Sequence, residues 1–190
     1  MLSVFQSEGA IIRKLIGYQF ASAIVGSMLS TASMAVKWLN CLTSVLAVLL
    51  YCYFIYTAVW DAGAKDRLKV EGGRKSKDMS RGFKIALCAN IPNLILGVLA
   101  IVLCAVGTFT QTVWSGSAAT IVVFIARLWQ AMYNGIINFV IPVGLEGWGF
   151  VASNIVYVAI SVPAILVGYI AYSMGYRNIR IFKAPVKEEK

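Results

Sequence analysis

The stretch 125–142, IARLWQAMYNGIINFVIP, sets an arginine, a glutamine and two asparagines into a run that is otherwise oil. Whether it crosses a bilayer decides how the whole chain is threaded. Arg127, Gln130, Asn134 and Asn138 follow one another at intervals of three, four and four residues, so on a straight helix they share one face. An apolar helix with one polar stripe has three options. It lies in the interface, dips in and returns at Asn134-Gly135, or spans with the stripe turned toward the protein interior.

Lipid is the solvent that the rest of the sequence demands. Of 190 residues, 59% are hydrophobic and only 13% are charged, with a mean hydropathy of +0.77. A soluble domain is about 45–50% apolar with roughly a quarter of its residues charged. A folded soluble domain of about 150 residues still exposes roughly a third of its chain surface, and this chain has too little polar surface to cover it. The expected class is an all-α polytopic membrane bundle of four to five transmembrane helices, with residues 1–190 forming a single membrane domain.

Composition also removes chemistry. There is no histidine, which excludes imidazole acid/base catalysis and His-ligated metals or haem within this chain. Cys41, Cys52, Cys88 and Cys104 all fall in apolar segments without metal-ligand spacing and read as buried free thiols. Only Cys41 and Cys104 lie where a disulfide near the outer face is conceivable. No cofactor and no metal is expected. The first apolar run begins after Arg13 and Lys14 and lacks a small-residue cleavage site, so it reads as a span and not as a signal peptide.

Five segments have spanning length, at 15–36, 39–60, 84–107, 119–142 and 150–174. The short turn VKWLN, residues 36–40, makes the first two an antiparallel hairpin. Trp38 and Trp60 bracket the second, about 33 Å apart on a helix, which matches a bilayer core of about 30 Å with tryptophan at both interfaces.

Charge then orients the chain. The stretch 61–84 carries eight basic residues and four acidic ones and reads as a cytoplasmic loop. Two crossings back, this puts Arg13 and Lys14 inside as well. The basic tail 176–190 belongs on the same side by the same rule, which would place 15 of the 17 Lys and Arg in the cytoplasm, with Lys37 and Arg127 elsewhere. Five full crossings would put the tail outside. The fourth segment is therefore expected to be re-entrant or interfacial, and both termini cytoplasmic, in a cell (inner or plasma) membrane.

Several polar residues inside the apolar segments are candidate sites. An arginine at bilayer depth costs about 2.5–3.5 kcal/mol on insertion scales, and the nearest acid to Arg127, Glu146, is about 28 Å away along an unbroken helix. A spanning Arg127 would need an anionic ligand, a lipid phosphate, helix carbonyls or another subunit. An interfacial one would snorkel to headgroups. Asn90 and Asn93 flank Pro92 and are placed to bridge the carbonyls freed by a kink or to line a polar cavity. Pro163 marks a bend in the fifth segment. Ser22, Gly26 and Ser30, with Ser27, Thr31 and Ala35 beside them, form a small-residue row suited to close helix packing or to a partner membrane protein.

The 61–84 stretch is basic enough to attract anionic lipid, but EGGRKSKD lacks the spacing of a nucleotide-binding loop. Nucleic acid is not an expected partner, because the charges sit where membrane topology needs them. Asp61, Asp66 and Asp78 faintly resemble the aspartate-rich signature of CDP-alcohol phosphatidyltransferases, but DAGAKDR has neither the Asp-Gly dipeptide nor the Ala-Arg offset, and a fourth aspartate is missing. In size and charge the chain resembles the substrate-binding membrane subunits of vitamin importers, an analogy of scale only, since those have six spans.

The functional expectation is non-enzymatic. A small solute, with an anion among the candidates because of Arg127, would be bound or passed between the Arg127, Gln130, Asn134, Asn138 stripe and Asn90 and Asn93. The alternative is a scaffold or accessory subunit, engaging another membrane protein, a second copy of itself or anionic lipid through the Ser22, Gly26, Ser30 face and the basic stretch.

Overall fold

The computed structural model describes residues 2–74, 76, 78–110, 113–141 and 147–181, and every regular element among them is helical. In hydrocarbon the backbone N–H and C=O groups must be satisfied within the chain itself, and apolar runs of this length do so as helices. In chain order these are α1 (Leu2–Ser33), α2 (Lys37–Glu71), α3 (Arg81–Thr110), α4 (Val113–Trp129), α5 (Asn134–Val140), α6 (Gly147–Ser153), α7 (Ile155–Ala159) and α8 (Ser161–Tyr176). Four stretches are long and apolar enough to cross a bilayer: Glu8–Ser33, Lys37–Glu71, Arg81–Thr110 and the broken run Val151–Tyr176.

The expected 61–84 loop is mostly helix. Asp61–Glu71 continues α2, and Arg81–Lys84 opens α3, so the connection narrows to 72–80. Two features carry the helix past the membrane edge. The inward row Tyr51, Ile55, Ala58, Ala62 continues at helical spacing to Asp66, and the outer face is laced by the i,i+4 pairs Lys65–Asp61 and Arg67–Glu71, each at 2.7 Å. Polarity at Asp61 marks the exit from lipid and not the end of the helix. Gly73, at φ 67°, turns the chain. Asp78 then accepts hydrogen bonds from the Ser80 backbone N–H (2.9 Å) and hydroxyl (2.7 Å) just before α3, and chiefly the latter holds its carboxyl below the usual range.

Helix α2 packs along α8 and α1, and α3 along α4 and α8. The α2–α8 contact is close because Gly63 lies against the Tyr172 carbonyl and Gly175 against the Trp60 carbonyl, where a Cβ would overlap backbone. Glu8 near the start of α1, Asp66 near the end of α2, Arg81 at the start of α3 and Tyr172 near the end of α8 meet at one end of the bundle. We call this the charged end; the far end holds Ser33, Lys37 and Thr110. The chain thus starts α1 and finishes α8 on the same side.

The fourth apolar segment does not run straight. Gly116–Trp129 and Ala131–Val140 meet at 81° through a 3-10 turn at Ala131–Tyr133. It leaves Thr110 at the far end, reaches Met132 beside Gly26 of α1, and returns to put Gly135 against Asn40 and Ser44, near the Lys37 end of α2. Gly26 lies about 27 Å along α1 from Glu8. The segment therefore begins and ends toward the far end of the bundle, the course of a re-entrant hairpin. Pro163 falls in the first turn of α8, where its missing N–H costs no helical bond. The four cysteines are free, and Cys104 accepts a hydrogen bond from Asn154 Nδ2 at 3.5 Å, so the Cys41–Cys104 bridge is absent.

Candidate functional site

The re-entrant turn is built from residues that let two backbones touch. At Gly26 a Cβ would strike the Met132 backbone, and at Gly135 it would strike the Asn40 carbonyl; Gly135 N–H donates to Ser44 Oγ at 2.8 Å. The turn ends α4 at Trp129 and drives the next side chain inward. Gln130 is 1% exposed, its Nε2 donating to the Tyr157 carbonyl at 3.2 Å, while its Oε1 has no hydrogen-bond partner among the described residues. Trp129 Nε1 and Ser22 Oγ are also buried and unpaired, Ser22 standing one helical turn from Gly26. Unpaired polar atoms inside lipid are costly, and three of the four such atoms gather about this one turn.

The stripe anticipated from sequence is split by the bend. Gln130 points in. Arg127 and Asn138 are exposed, and Asn134 is half-buried. Arg127 Nε donates to the Tyr157 hydroxyl at 2.9 Å, which ties α4 to α7. Helical periodicity aligns residues only along a straight axis, and an 81° change of direction rotates the two halves apart. Glu146 lies outside the described residues, as do residues 182–190 of the tail.

Asn90 and Asn93 belong to a different, closed arrangement. Gln19 Nε2 donates to Asn93 Oδ1 (2.6 Å), Asn93 Nδ2 donates to Gln19 Oε1 (3.0 Å) and Asn90 Oδ1 (2.9 Å), and the Tyr51 hydroxyl donates to Gln19 Oε1 (2.8 Å). Asn90 Nδ2 bonds the Ala86 carbonyl at 2.9 Å. The asparagines therefore do not cover the carbonyl that Pro92 frees, which belongs to Cys88; they lock α3 to α1 and α2. Gln19 and Tyr51 were not singled out from the sequence. A signal existed: Gln19, Ser22, Gly26 and Ser30 repeat the same three, four, four spacing as the Arg127 stripe.

The Ser22, Gly26, Ser30 row faces the protein's own chain. Ser22 is 2% exposed, Gly26 meets Met132, and Ser30 Oγ donates to Asn40 Oδ1 at 3.1 Å.

Toward the charged end lies an apolar layer of Ile12, Leu15, Ile55, Val59 and Ile85, and beyond it the ion cluster. Arg81 donates to both Asp66 and Glu8, and the Tyr172 hydroxyl donates to Asp66 Oδ2 at 2.7 Å. Glu8 is 5% exposed and Asp66 4%. Two carboxylates share one guanidinium, whose planar fork suits two acceptors. Gln19 and Glu8 are about 16 Å apart along α1. Among the described residues, no three His, Cys, Asp or Glu side chains are grouped to hold a metal.

No family model matches this chain, and neither a curated protein nor a solved structure is significantly similar to it. Fold and composition define an all-helical membrane protein with four span-length helices and one bent helical pair.

Proposed function

We propose that this chain is a non-enzymatic membrane protein that binds a small polar solute at the re-entrant turn Trp129–Met132 and helps it across the bilayer. The observation that carries the reading is the unpaired Gln130 Oε1, 1% exposed and far from either end of the spans, with Trp129 Nε1 and Ser22 Oγ unpaired beside the same turn. Each buried unpaired group costs about 1–3 kcal/mol. A solute that both donates and accepts recovers that cost, and broken helices in membrane transporters form sites in this manner.

The unpaired set is one carbonyl and two donors, so it favours a neutral hydrogen-bonding solute over an anion. Arg127 orients α4 against α7 and stands outside the site. Asn90, Asn93, Gln19 and Tyr51 form the floor, and the apolar layer with the Glu8–Arg81–Asp66 cluster closes the path below it. The solute reaches the turn from the far end. Under this reading the charged end faces the cytoplasm, an orientation supported by the Lys and Arg bias of the sequence.

A thermal-shift screen on detergent-purified protein tests this, with neutral amides and polyols set beside small organic anions. We expect a neutral solute to raise the melting temperature of the wild type and of Arg127→Ala, and to have no effect on Gln130→Leu. An anion response that vanishes in Arg127→Ala would move the site to the surface of α4. A stoichiometric co-purifying membrane protein, with no solute response, would favour the accessory role instead.

A further inference from the structure

We infer that the charged end carries a built site for the phosphate of an anionic phospholipid, formed by Arg67, Arg180, Asn178 and Trp60 where α2 leaves the membrane.

The site begins with how α8 stops. Asn178 adopts the left-handed conformation (φ 57°), its N–H bonds the Gly175 carbonyl at 3.1 Å, and the Ile179 N–H bonds the Met174 carbonyl at 2.9 Å. This double closure is a Schellman motif, with asparagine in the position glycine usually takes. It folds the chain back across α2. Trp60 Nε1 then donates to the Ile179 carbonyl at 2.8 Å, and Ile181 N–H donates to the Tyr56 hydroxyl at 3.1 Å, so the segment after α8 is pinned to α2 at two points.

The consequence is a cavity of about 220 Å³ whose lining includes Trp60, Ala64, Arg67, Leu68, Asn178 and Arg180. Among the described residues, no acidic side chain lines this cavity. The Arg180 guanidinium lies over the Trp60 ring, 4.4 Å from its centroid, a cation–π contact that holds the cation at the cavity. Arg67 rises two helical turns beyond Trp60, and its pair with Glu71 engages Nε at 2.7 Å. Two planar guanidiniums across one small cavity match the oxygens of a phosphate.

The depth selects a lipid over a free ion. Trp60 is the tryptophan of the belt at this end of α2, so Arg67 stands about 10 Å farther out, at headgroup level. Leu68, 67% exposed, is an apolar wall of the cavity, and Ile181, 61% exposed and bonded to Tyr56 one helical turn to the membrane side of Trp60, lies where the glycerol ester of a lipid would follow its phosphate. A soluble phosphate ester would share the arginines but gain nothing from these apolar side chains.

The test counts lipids retained on the full chain by native mass spectrometry, after release from nanodiscs of equal parts phosphatidylcholine and phosphatidylglycerol. Wild type is expected to keep phosphatidylglycerol. Arg67→Gln and Arg180→Gln should each lower that retention about fivefold, the effect of one cation at a membrane surface, while Lys65→Gln, on the same helix but outside the cavity, leaves it unchanged. Because Arg180 follows α8, its variant keeps the spans intact, and an unchanged melting temperature will verify that. Equal retention in all variants, or an equal fall in Lys65→Gln, would show diffuse surface attraction and overturn the site. Displacement of phosphatidylglycerol by an equal concentration of soluble glycerol phosphate would overturn the lipid assignment.

Discussion

Arg81 and Arg127 exchange the importance that their positions in the sequence imply. Arg127, alone in an apolar run, has an exposed side chain and one hydrogen bond to Tyr157. Arg81, one of eight basic residues in a polar stretch, is mostly buried between two carboxylates. A charge inside a basic stretch reads as solvated until the helix that carries its partner is known to continue. Asp66 could have been found, because it extends the inward row of α2; Glu8 could not, since its packing depends on where α1 begins relative to α3. Arg81→Met should destabilise the protein by about 3–5 kcal/mol, because it leaves two buried carboxylates without their cation. Adding Glu8→Gln and Asp66→Asn to Arg81→Met should recover a large part of that loss. Unfolding in mixed micelles at neutral pH measures both.

At the scale of elements, the deciding feature is the break after Trp129. The sequence marks 125–142 as ambiguous because its polar stripe and its length support three different placements. What resolves them is the pair of glycines that admit the turn: Gly26 lets Met132 onto α1, and Gly135 lets α5 onto Asn40. In a background without native cysteines, Asn138→Cys should react with a membrane-impermeant thiol reagent from the same side as Lys37→Cys, and from the side opposite Arg74→Cys. Reaction of Asn138→Cys with the Arg74 side would mean a full crossing. Gly135→Val should cost about 1–3 kcal/mol by overpacking against α2 and should expose Met132→Cys to labelling. Both glycines are visible in the sequence, Gly26 in its small-residue row and Gly135 after Asn134, but their partners are not, since close approach between segments about a hundred residues apart leaves no local periodicity.

Across the whole molecule the interior is layered along the bundle axis. Unpaired groups at the re-entrant turn come first, then the Gln19, Tyr51, Asn90, Asn93 lock, then Ile12, Leu15, Ile55, Val59 and Ile85, and last the Glu8–Arg81–Asp66 cluster. The chain begins α1 and ends α8 at the same end, so Ser76→Cys and Asn178→Cys should label from one side in intact cells. Opposite-side labelling would require a fifth crossing. Composition and hydropathy, which are sums over residues, were enough to indicate helices of membrane-spanning length and composition and the approximate bounds of each. Charge placement favoured an even number of crossings, and the labelling of Ser76→Cys and Asn178→Cys tests it. Tertiary structure alone decided which polar residues meet, because a hydrogen bond such as Gln19–Asn93 or an ion pair such as Glu8–Arg81 joins positions more than seventy residues apart. Such pairs depend on helix rotation and depth, and these are set by packing between helices and not by the pattern along any one of them.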